Sequence, residues 1–173
     1  MRMIQCTEER HAAAILEILN HAIVHSTALY DYRPRPASTM KDWFEAKRRN
    51  VFPVLGIEDE QGKLMGFASY GAFRAWPAYK YSVEHSIYVH HECRGMGLGR
   101  RLLASLIEEA GARDVHTMVG GIDAANEASI ALHQHLGFQP AGMIKEAGYK
   151  FGRWLDLVFY QKILSSPSHP TED

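Results

Sequence analysis

The feature that most constrains the fold is a run of alternating glycines at Gly95, Gly97 and Gly99. The β-prone segment 82–89 comes before it, and an apolar-periodic segment, about 99–112, follows it. A glycine-rich turn that opens a helix presents backbone N–H groups at the positive end of the helix dipole, which favours phosphate binding. Three arginines flank the glycines and add charged donors: Arg94, Arg100 and Arg101. The pattern predicts a strand–loop–helix unit that can hold a phosphate.

The spacing of the glycines narrows the kind of phosphate site. The stretch GMGLGR gives G-x-G-x-G, which differs from the G-x-G-x-x-G pattern of dinucleotide-binding folds. No Gly-Lys-Ser/Thr follows, so the Walker pattern does not fit either. From the loop alone, phosphate binding and a purely geometric role for the glycines both stay open.

The rest of the chain alternates between helix-like and strand-like periodicity. The predicted strands are 3–6, 53–58, 64–71, 82–89, 115–122, 138–143 and 154–163. The predicted helices are 8–20, 39–49, 99–112 and 126–136. Thr7 is the predicted N-cap of the first helix, and Gly137 the glycine that ends the last one. The order predicts a mixed α/β fold.

Length and composition limit the class of protein. The chain has 173 residues, enough for one domain, and a formal net charge of -1. We therefore expect no nucleic-acid partner, since no basic field covers the chain. Cys6 and Cys93 are its only cysteines, and we find neither a signal peptide nor a membrane segment. We expect a cytoplasmic protein with one domain over residues 1–164 and a flexible C-terminal tail over 165–173.

Two motifs together resemble one family. The stretch Arg94-Gly95-Met96-Gly97-Leu98-Gly99 resembles the pyrophosphate loop of the GCN5-related N-acetyltransferases (GNAT). Asn126, Ser129 and Gly137-Phe138 resemble that family's second motif, in the same order along the chain. The resemblance extends from Ile4 to about Leu164. It implies the α/β GNAT fold, a mixed central sheet flanked by helices, with acetyl-CoA as cosubstrate and no metal.

Three further stretches are similar to a narrower branch, the phosphinothricin and methionine sulfone acetyltransferases. They are FASYGAFR, SVEHSIYV and KFGRWLDL. This resemblance implies acetylation of the free α-amino group of a small amino-acid analogue such as phosphinothricin, methionine sulfone or methionine sulfoximine. It also implies a homodimer that completes the acceptor pocket.

The family resemblance implies a set of cofactor-binding residues. Backbone N–H groups near the end of the strand 82–89 would hold the thioester carbonyl and the pantetheine arm: Ile87, Tyr88 and Val89. The pyrophosphate would lie on the glycine loop: Arg94, Gly95, Met96, Gly97, Leu98, Gly99 and Arg100. Asn126 and Ser129 complete the predicted set.

Glu84 and His133 are the predicted catalytic residues. A carboxylate at Glu84 could accept the amine proton directly or through water, or could hold the substrate ammonium. His133 stands where many members of the wider family place a tyrosine acid, so it could donate to the departing sulfur, contact the cofactor or only pack. His85 neighbours Glu84 on the strand and faces the opposite way, which favours a structural or interface role.

An aromatic loop provides the predicted acceptor site. Arg74 could bind a carboxylate or phosphinate, and Phe73 and Trp76 could wall a small pocket, with Glu84 on the amine. The alternative is a hydrophobic loop that packs on the domain or on a second subunit. The remaining histidines are not spaced as metal ligands, and no metal is expected.

Three rival functions stay open at this point. A peptide or protein N-terminal acetyltransferase would use the same chemistry in a more open groove. A non-catalytic acyl-CoA sensor would keep the glycine loop but would not need Glu84. A nucleotide-binding module would use the same loop for a different phosphate.

Overall fold

The computed structural model describes residues 1–172, which form seven strands and four helices in the predicted order. The strands are β1 (Arg2–Gln5), β2 (Val54–Glu58), β3 (Leu64–Ala72), β4 (Ser82–Val89), β5 (Thr117–Asp123), β6 (Gln139–Lys150) and β7 (Arg153–Ile163). The helices are α1 (Glu8–His25), α2 (Thr39–Arg49), α3 (Leu98–Gly111) and α4 (Glu127–His135). None of the helices in this part of the chain is long and apolar enough to span a bilayer.

The strands form one mixed sheet in the order β1-β2-β3-β4-β5-β7-β6. β4 and β5 are parallel, with Ser82 opposite Thr117 and Glu84 opposite Val119. β5 pairs antiparallel with β7 along its whole length, from Thr117 opposite Ile163 to Asp123 opposite Leu157. The predicted mixed α/β fold is confirmed.

Two elements are longer than predicted. α1 continues past Asn20 to His25 because Ala22 and Ile23 prolong its buried face. β6 does not end at residue 143, since its pairing with β7 continues to Lys150 opposite Arg153. Two register shifts in this hairpin break the strict alternation that strand prediction depends on.

The N-cap residue of α1 is predicted correctly, but its capping hydrogen bond is not. Thr7 occupies the N-cap position, but its side chain makes no capping hydrogen bond. The backbone N–H of Thr7 instead donates to Nδ1 of His11 at 2.9 Å. One ring nitrogen of His11 is thus occupied at the start of the helix, which leaves Nε2 to point inward.

The chain falls into two compact units. The first holds residues 1–69 and 87–103. Its core is formed by α1, α2 and the sheet, and its largest fully buried side chains include Ile15, Ile23, Ile57 and Phe67.

A buried carboxylate lies in this first unit. The Glu58 side chain is only 1% exposed and has three basic partners. Arg2 Nη2 donates at 2.8 Å, His11 Nε2 at 3.0 Å and Arg10 Nη2 at 3.3 Å. The hydrogen bonds from His11 and Arg2 hold the pKa of Glu58 below its usual value.

The second unit holds residues 70–86 and those from 104 onward. β5, β7 and α4 surround its core, where Met118, Phe138 and Leu155 are fully buried. Two tail residues bond to it: Ser166 Oγ donates to the carbonyl of Val115, and the N–H of Thr171 donates to Tyr81 Oη. The domain boundary at 164 and the flexibility of the tail stay predictions.

Candidate active site

The glycine loop lies in the first unit, between β4 and α3. Gly95 and Gly97 have φ of +78° and +74°, a backbone conformation that disfavours side chains. A Cβ at either position would meet nothing within 4 Å. The space over both glycines is therefore open, and a phosphate could approach the backbone there.

α3 begins directly after this loop. The N–H of Arg101 donates to the carbonyl of Gly97 at 3.2 Å, which makes Gly97 the first acceptor of the helix. The N–H groups of Leu98, Gly99 and Arg100 precede the first helical bond and form the positive end of the dipole. Leu98 is buried and anchors this turn, while Arg94, Met96 and Arg100 are exposed. The loop thus fits the phosphate site that the sequence predicts.

The end of β4 borders the same loop. Ile87, Tyr88 and Val89 are half-buried, and the Tyr88 ring packs against Phe67 with 5.5 Å between centroids. A Cβ at Gly66 of β3 would come within 2.9 Å of the Tyr88 carbonyl oxygen. The Tyr88 side chain therefore has a packing role.

Glu84 lies in the second unit, on β4. It is half-buried, and its Oε1 lies 3.0 Å from where a Cβ of Gly121 would be. Burial raises the pKa of Glu84, and the positive charge of Arg74 partly opposes that rise. Gly121 is exposed, and the side chains of Leu157 and Phe159 flank the same position at 3.5 and 3.6 Å. A carboxylate with a raised pKa at an accessible position can accept a proton.

His85 and His133 form a buried pair on the other face of the same strands. Their Nε2 atoms are 3.2 Å apart, and a Cβ at Gly120 would lie 2.9 Å from both. Adjacent residues of a strand face opposite ways, so Gly120 makes room for the histidines and Gly121 for Glu84. The expectation that His85 faces away from Glu84 agrees with this geometry.

The hydrogen bonds of the pair determine where its protons lie. His133 Nδ1 is 2.6 Å from the carbonyl oxygen of Ser129, which only accepts, so Nδ1 carries the proton. Burial lowers the pKa of His133 and lowers that of His85 to about 3, which favours the neutral form of both rings. His133 Nε2 then accepts from His85 Nε2–H. His85 Nδ1 is left buried with no hydrogen-bond partner in the described chain.

The second motif is built around this pair. Asn126 is the N-cap of α4, and its Oδ1 accepts the N–H of Ser129 at 3.1 Å. The ring of Phe138 meets His85 and His133 edge-on, with centroids 5.4 Å and 5.1 Å away. The spacing of Asn126 and Ser129 thus has a capping explanation, and their contact with a cofactor stays a prediction.

Of the three predicted acceptor residues, Phe73 and Arg74 contact each other and Trp76 is exposed. The Arg74 guanidinium lies 4.2 Å above the Phe73 ring, and its Nη1 donates to the Phe73 carbonyl at 2.7 Å. Trp76 is 69% exposed. The structure brings Phe73 and Arg74 together within the electrostatic reach of Glu84, and it leaves Trp76 at the surface.

Sequence reasoning missed a second carboxylate at the end of β5. The Asp123 side chain is 2% exposed, and its Oδ1 accepts the N–H of Ala125 at 3.0 Å. Its Oδ2 lies 3.6 Å from Nη2 of Arg153, an ion pair that is too long for a hydrogen bond. Asp123 is two residues from Gly121 and so faces the same way as Glu84. The sequence signal that could have indicated Asp123 is its position directly after a predicted strand, two residues after the glycine pair Gly120-Gly121.

Metal ligation finds no support in residues 1–172, where no group of three or more His, Cys, Asp or Glu side chains is arranged to hold an ion.

Comparison with known proteins identifies the family. The model of the Acetyltransferase (GNAT) family matches residues 14–138. A protein of Salmonella typhimurium LT2, L-methionine sulfoximine/L-methionine sulfone acetyltransferase, is 42% identical over 167 residues, 96% of this chain and 97% of its own length.

Two solved structures are also similar. The phosphinothricin acetyltransferase of Sinorhizobium meliloti, solved in complex with AcCoA, has a TM-score of 0.93 and 34% identity, covering 98% of this chain and 91% of its own. The ribosomal-protein-alanine N-acetyltransferase of Brucella melitensis has a TM-score of 0.92 and 45% identity, covering 95% and 100%. The paired motifs therefore predicted the family correctly: the chain belongs to the GNAT acetyltransferases.

Proposed function

We propose that this enzyme transfers an acetyl group from acetyl-CoA to the free α-amino group of a small amino-acid analogue of the methionine sulfoximine or methionine sulfone type. The observation that carries the proposal is the half-buried Glu84 carboxylate, which has a raised pKa and lies beside the exposed Gly121. The name and the 42% identity of the Salmonella relative support the acceptor class.

The residues that would hold acetyl-CoA fit its chemistry. Backbone N–H groups at the start of α3 and the open space over Gly95 and Gly97 suit a pyrophosphate. Arg94 and Arg100 are exposed beside them and can add charged donors. The backbone of 87–89 is the proposed ligand of the thioester and the pantetheine arm. The cosubstrate supplies an acetyl group already activated as a thioester.

Glu84 is the proposed base. An α-amino group has a pKa near 8, whereas an unperturbed glutamate has one near 4.3, so proton transfer from the ammonium to a normal carboxylate is uphill. Burial narrows that gap because it raises the pKa of Glu84. The same negative charge attracts the ammonium before it loses its proton.

The proposed role of His133 is to position its neighbours. Its Nδ1 proton is bonded to Ser129 and its Nε2 accepts from His85, so the neutral ring has no free proton for a departing sulfur. General-acid catalysis by His133 stays a prediction. The hydrogen bonds favour the packing alternative.

Arg74 is the proposed ligand of the acceptor carboxylate. Its guanidinium is exposed, stacks on Phe73 and donates to a backbone carbonyl, which restrains its orientation. The remaining donors of the planar fork suit a carboxylate. Phe73 and Trp76 would contact the acceptor side chain.

A protein or peptide α-amino group is the second candidate acceptor. The observation in its favour is the 45% identity with the Brucella melitensis ribosomal-protein-alanine N-acetyltransferase. Both acceptor classes present the same amine, so Glu84 serves either. The sensor and nucleotide-binding alternatives lose support with membership in an acetyltransferase family.

We also propose a homodimer formed through the β6–β7 hairpin. Five large apolar side chains of this hairpin are about half exposed: Met143, Ile144, Tyr149, Phe151 and Trp154. An apolar patch of this kind on one hairpin suits a subunit interface. A cytoplasmic location is likewise a proposal, which the free, buried thiols of Cys6 and Cys93 support.

The test is release of free thiol from acetyl-CoA with a panel of amines. The panel holds methionine sulfone, methionine sulfoximine, phosphinothricin, ordinary amino acids and peptides with N-terminal alanine. We expect turnover with the sulfone and sulfoximine. Turnover confined to peptides would move the proposal to the second candidate, and sedimentation of the same sample tests the dimer.

A further inference from the structure

Four histidines of the first unit form a continuous string of rings. His21 stacks on His91 with centroids 3.9 Å apart and planes 2° apart. His25 lies 4.4 Å from His21, and His90 lies 4.4 Å from His91. Two of the rings belong to α1 and two to the turn after β4. Nothing in the proposed chemistry uses them.

The string lies beside the glycine loop. His90 and His91 come four and three residues before Arg94, the first residue of that loop. The positive charge of Arg94 also reaches His21 from across the gap between α1 and the turn. The string thus extends the cationic end of the phosphate site along the surface of α1.

The groups whose charges lower the pKa of His21 are all basic. Burial and the neighbouring bases lower its pKa, the bases being His91, His25, Arg94 and His90. A proton on His21 is therefore disfavoured until an anion arrives to offset the repulsion.

The acidic groups of this region face the inner end of the string instead. His90 has Glu17 at 3.5 Å and Glu92 at 3.8 Å, and Glu92 also pairs with Lys63 at 2.9 Å. His90 Nδ1 accepts the N–H of Glu92 as well. The closest contacts of these carboxylates are thus with His90 and Lys63, while Glu92 reaches the exposed His91 only through its charge.

We propose that His21 and His91 form a titratable phosphate site for coenzyme A, so that binding of the cosubstrate takes up a proton. The inference rests on the proposed function for its ligand. Coenzyme A carries a pyrophosphate and a 3′-phosphate, and both are anions of the kind that a protonated imidazole pair would bind. Parallel stacked rings do not converge their nitrogens on one point, which suits an extended anion better than a metal ion.

The direction of the pH effect follows from linkage. A bound phosphate raises the histidine pKa, so between the free and bound values the complex holds more protons than the free enzyme. Affinity for coenzyme A therefore rises as pH falls, by at most about tenfold per pH unit for one coupled proton. Because a phosphate monoester titrates near pH 6 itself, the clean window lies above about pH 6.5.

The experiment is calorimetric titration of the enzyme with coenzyme A between pH 6.5 and 8, in two buffers of different ionisation enthalpy. Proton uptake is read directly from the difference, without turnover. We expect uptake of up to about one proton and tighter binding at pH 6.5. The double variant His21→Gln/His91→Gln should lose both the proton uptake and the tighter binding at pH 6.5. His169→Gln is the control, because His169 is an exposed histidine of the tail.

Two further arms sharpen the result. Dephospho-coenzyme A lacks the 3′-phosphate, so loss of uptake assigns the site to that group and retention assigns it to the pyrophosphate. A fixed charge in His91→Lys should bind tightly at pH 8 and lose part of the pH dependence. Equal proton uptake in the wild type and the double variant would overturn the histidine proposal. So would binding of coenzyme A to the wild type without any proton uptake. Neither result would affect the proposed function. Failure of wild type to bind coenzyme A at any pH would overturn both proposals.

Discussion

Glu58 and Glu84 are two glutamates whose pKa values move in opposite directions. Glu58 on β2 is almost fully buried, yet its pKa is lowered, because three basic side chains converge on it. Glu84 on β4 is only half-buried, yet its pKa is raised, because burial acts on it with only the more distant charge of Arg74 to oppose it. The comparison teaches that the number of basic partners, rather than depth, separates a carboxylate that stabilises the fold from one that can move a proton.

Glu84→Gln is the substitution with the largest expected effect on activity. Loss of the base should lower kcat for the sulfone acceptor by about 100-fold or more, with the melting temperature unchanged. Thiol release measures the first quantity and thermal unfolding the second. Glu60→Gln, an exposed glutamate in the β2–β3 turn, is the matched control. Retained turnover in Glu84→Gln would reduce Glu84 to a binding group.

Glu58→Gln should have the reverse profile. It leaves Arg2, Arg10 and His11 without their buried charge, and we expect the melting temperature to fall by about 5 °C or more. Activity per folded molecule should persist. Because the folded pKa of Glu58 is depressed, its contribution is present above about pH 4.3 and is lost as pH falls through the folded value. The variant and the wild type should therefore converge in stability under acid, whereas a constant gap would argue against the ion network.

Gly121→Ala tests the space that Glu84 occupies. The new Cβ would lie 3.0 Å from Oε1, so the flexible carboxylate must move and kcat should fall about tenfold with little loss of stability. Gly120→Ala is the matched neighbour, since its Cβ would meet two buried ring nitrogens at 2.9 Å. We expect that variant to lose stability first, as measured by thermal unfolding. Equal effects of the two substitutions on kcat and on stability would contradict the assignment of Glu84 to one face of the strands and of the histidine pair to the other.

Arg74→Gln should have the smallest effect on the proton-transfer step. The charge of Arg74 lowers the pKa of Glu84, so its removal should move the acid limb of the kcat profile to higher pH. KM for the acceptor should rise about tenfold if Arg74 binds its carboxylate. An acid limb that does not move would place Arg74 outside the reach of Glu84.

The sequence allowed the family and most of the fold to be predicted, because the loop at 94–99 and the motif at 126–138 are local patterns. The length of β6 could not be predicted, since its second half follows from pairing with β7 across two register shifts. The site was harder to predict, because its contacts also join residues that are far apart in the sequence. The His85–His133 bond and the ion pair of Asp123 with Arg153 join residues that are 48 and 30 positions apart. The space for Glu84 depends on a glycine 37 residues away.

The neutral His85–His133 pair has a consequence for kinetics. Burial lowers the pKa of His85 to about 3 and also lowers the pKa of His133, so a proton on either ring is disfavoured. With acceptor and acetyl-CoA both saturating, Glu84 is then the one group of the proposed machinery that titrates on the acid side. A plot of log kcat against pH should rise with a slope of one on that side, and a slope of two would reveal a second titrating group.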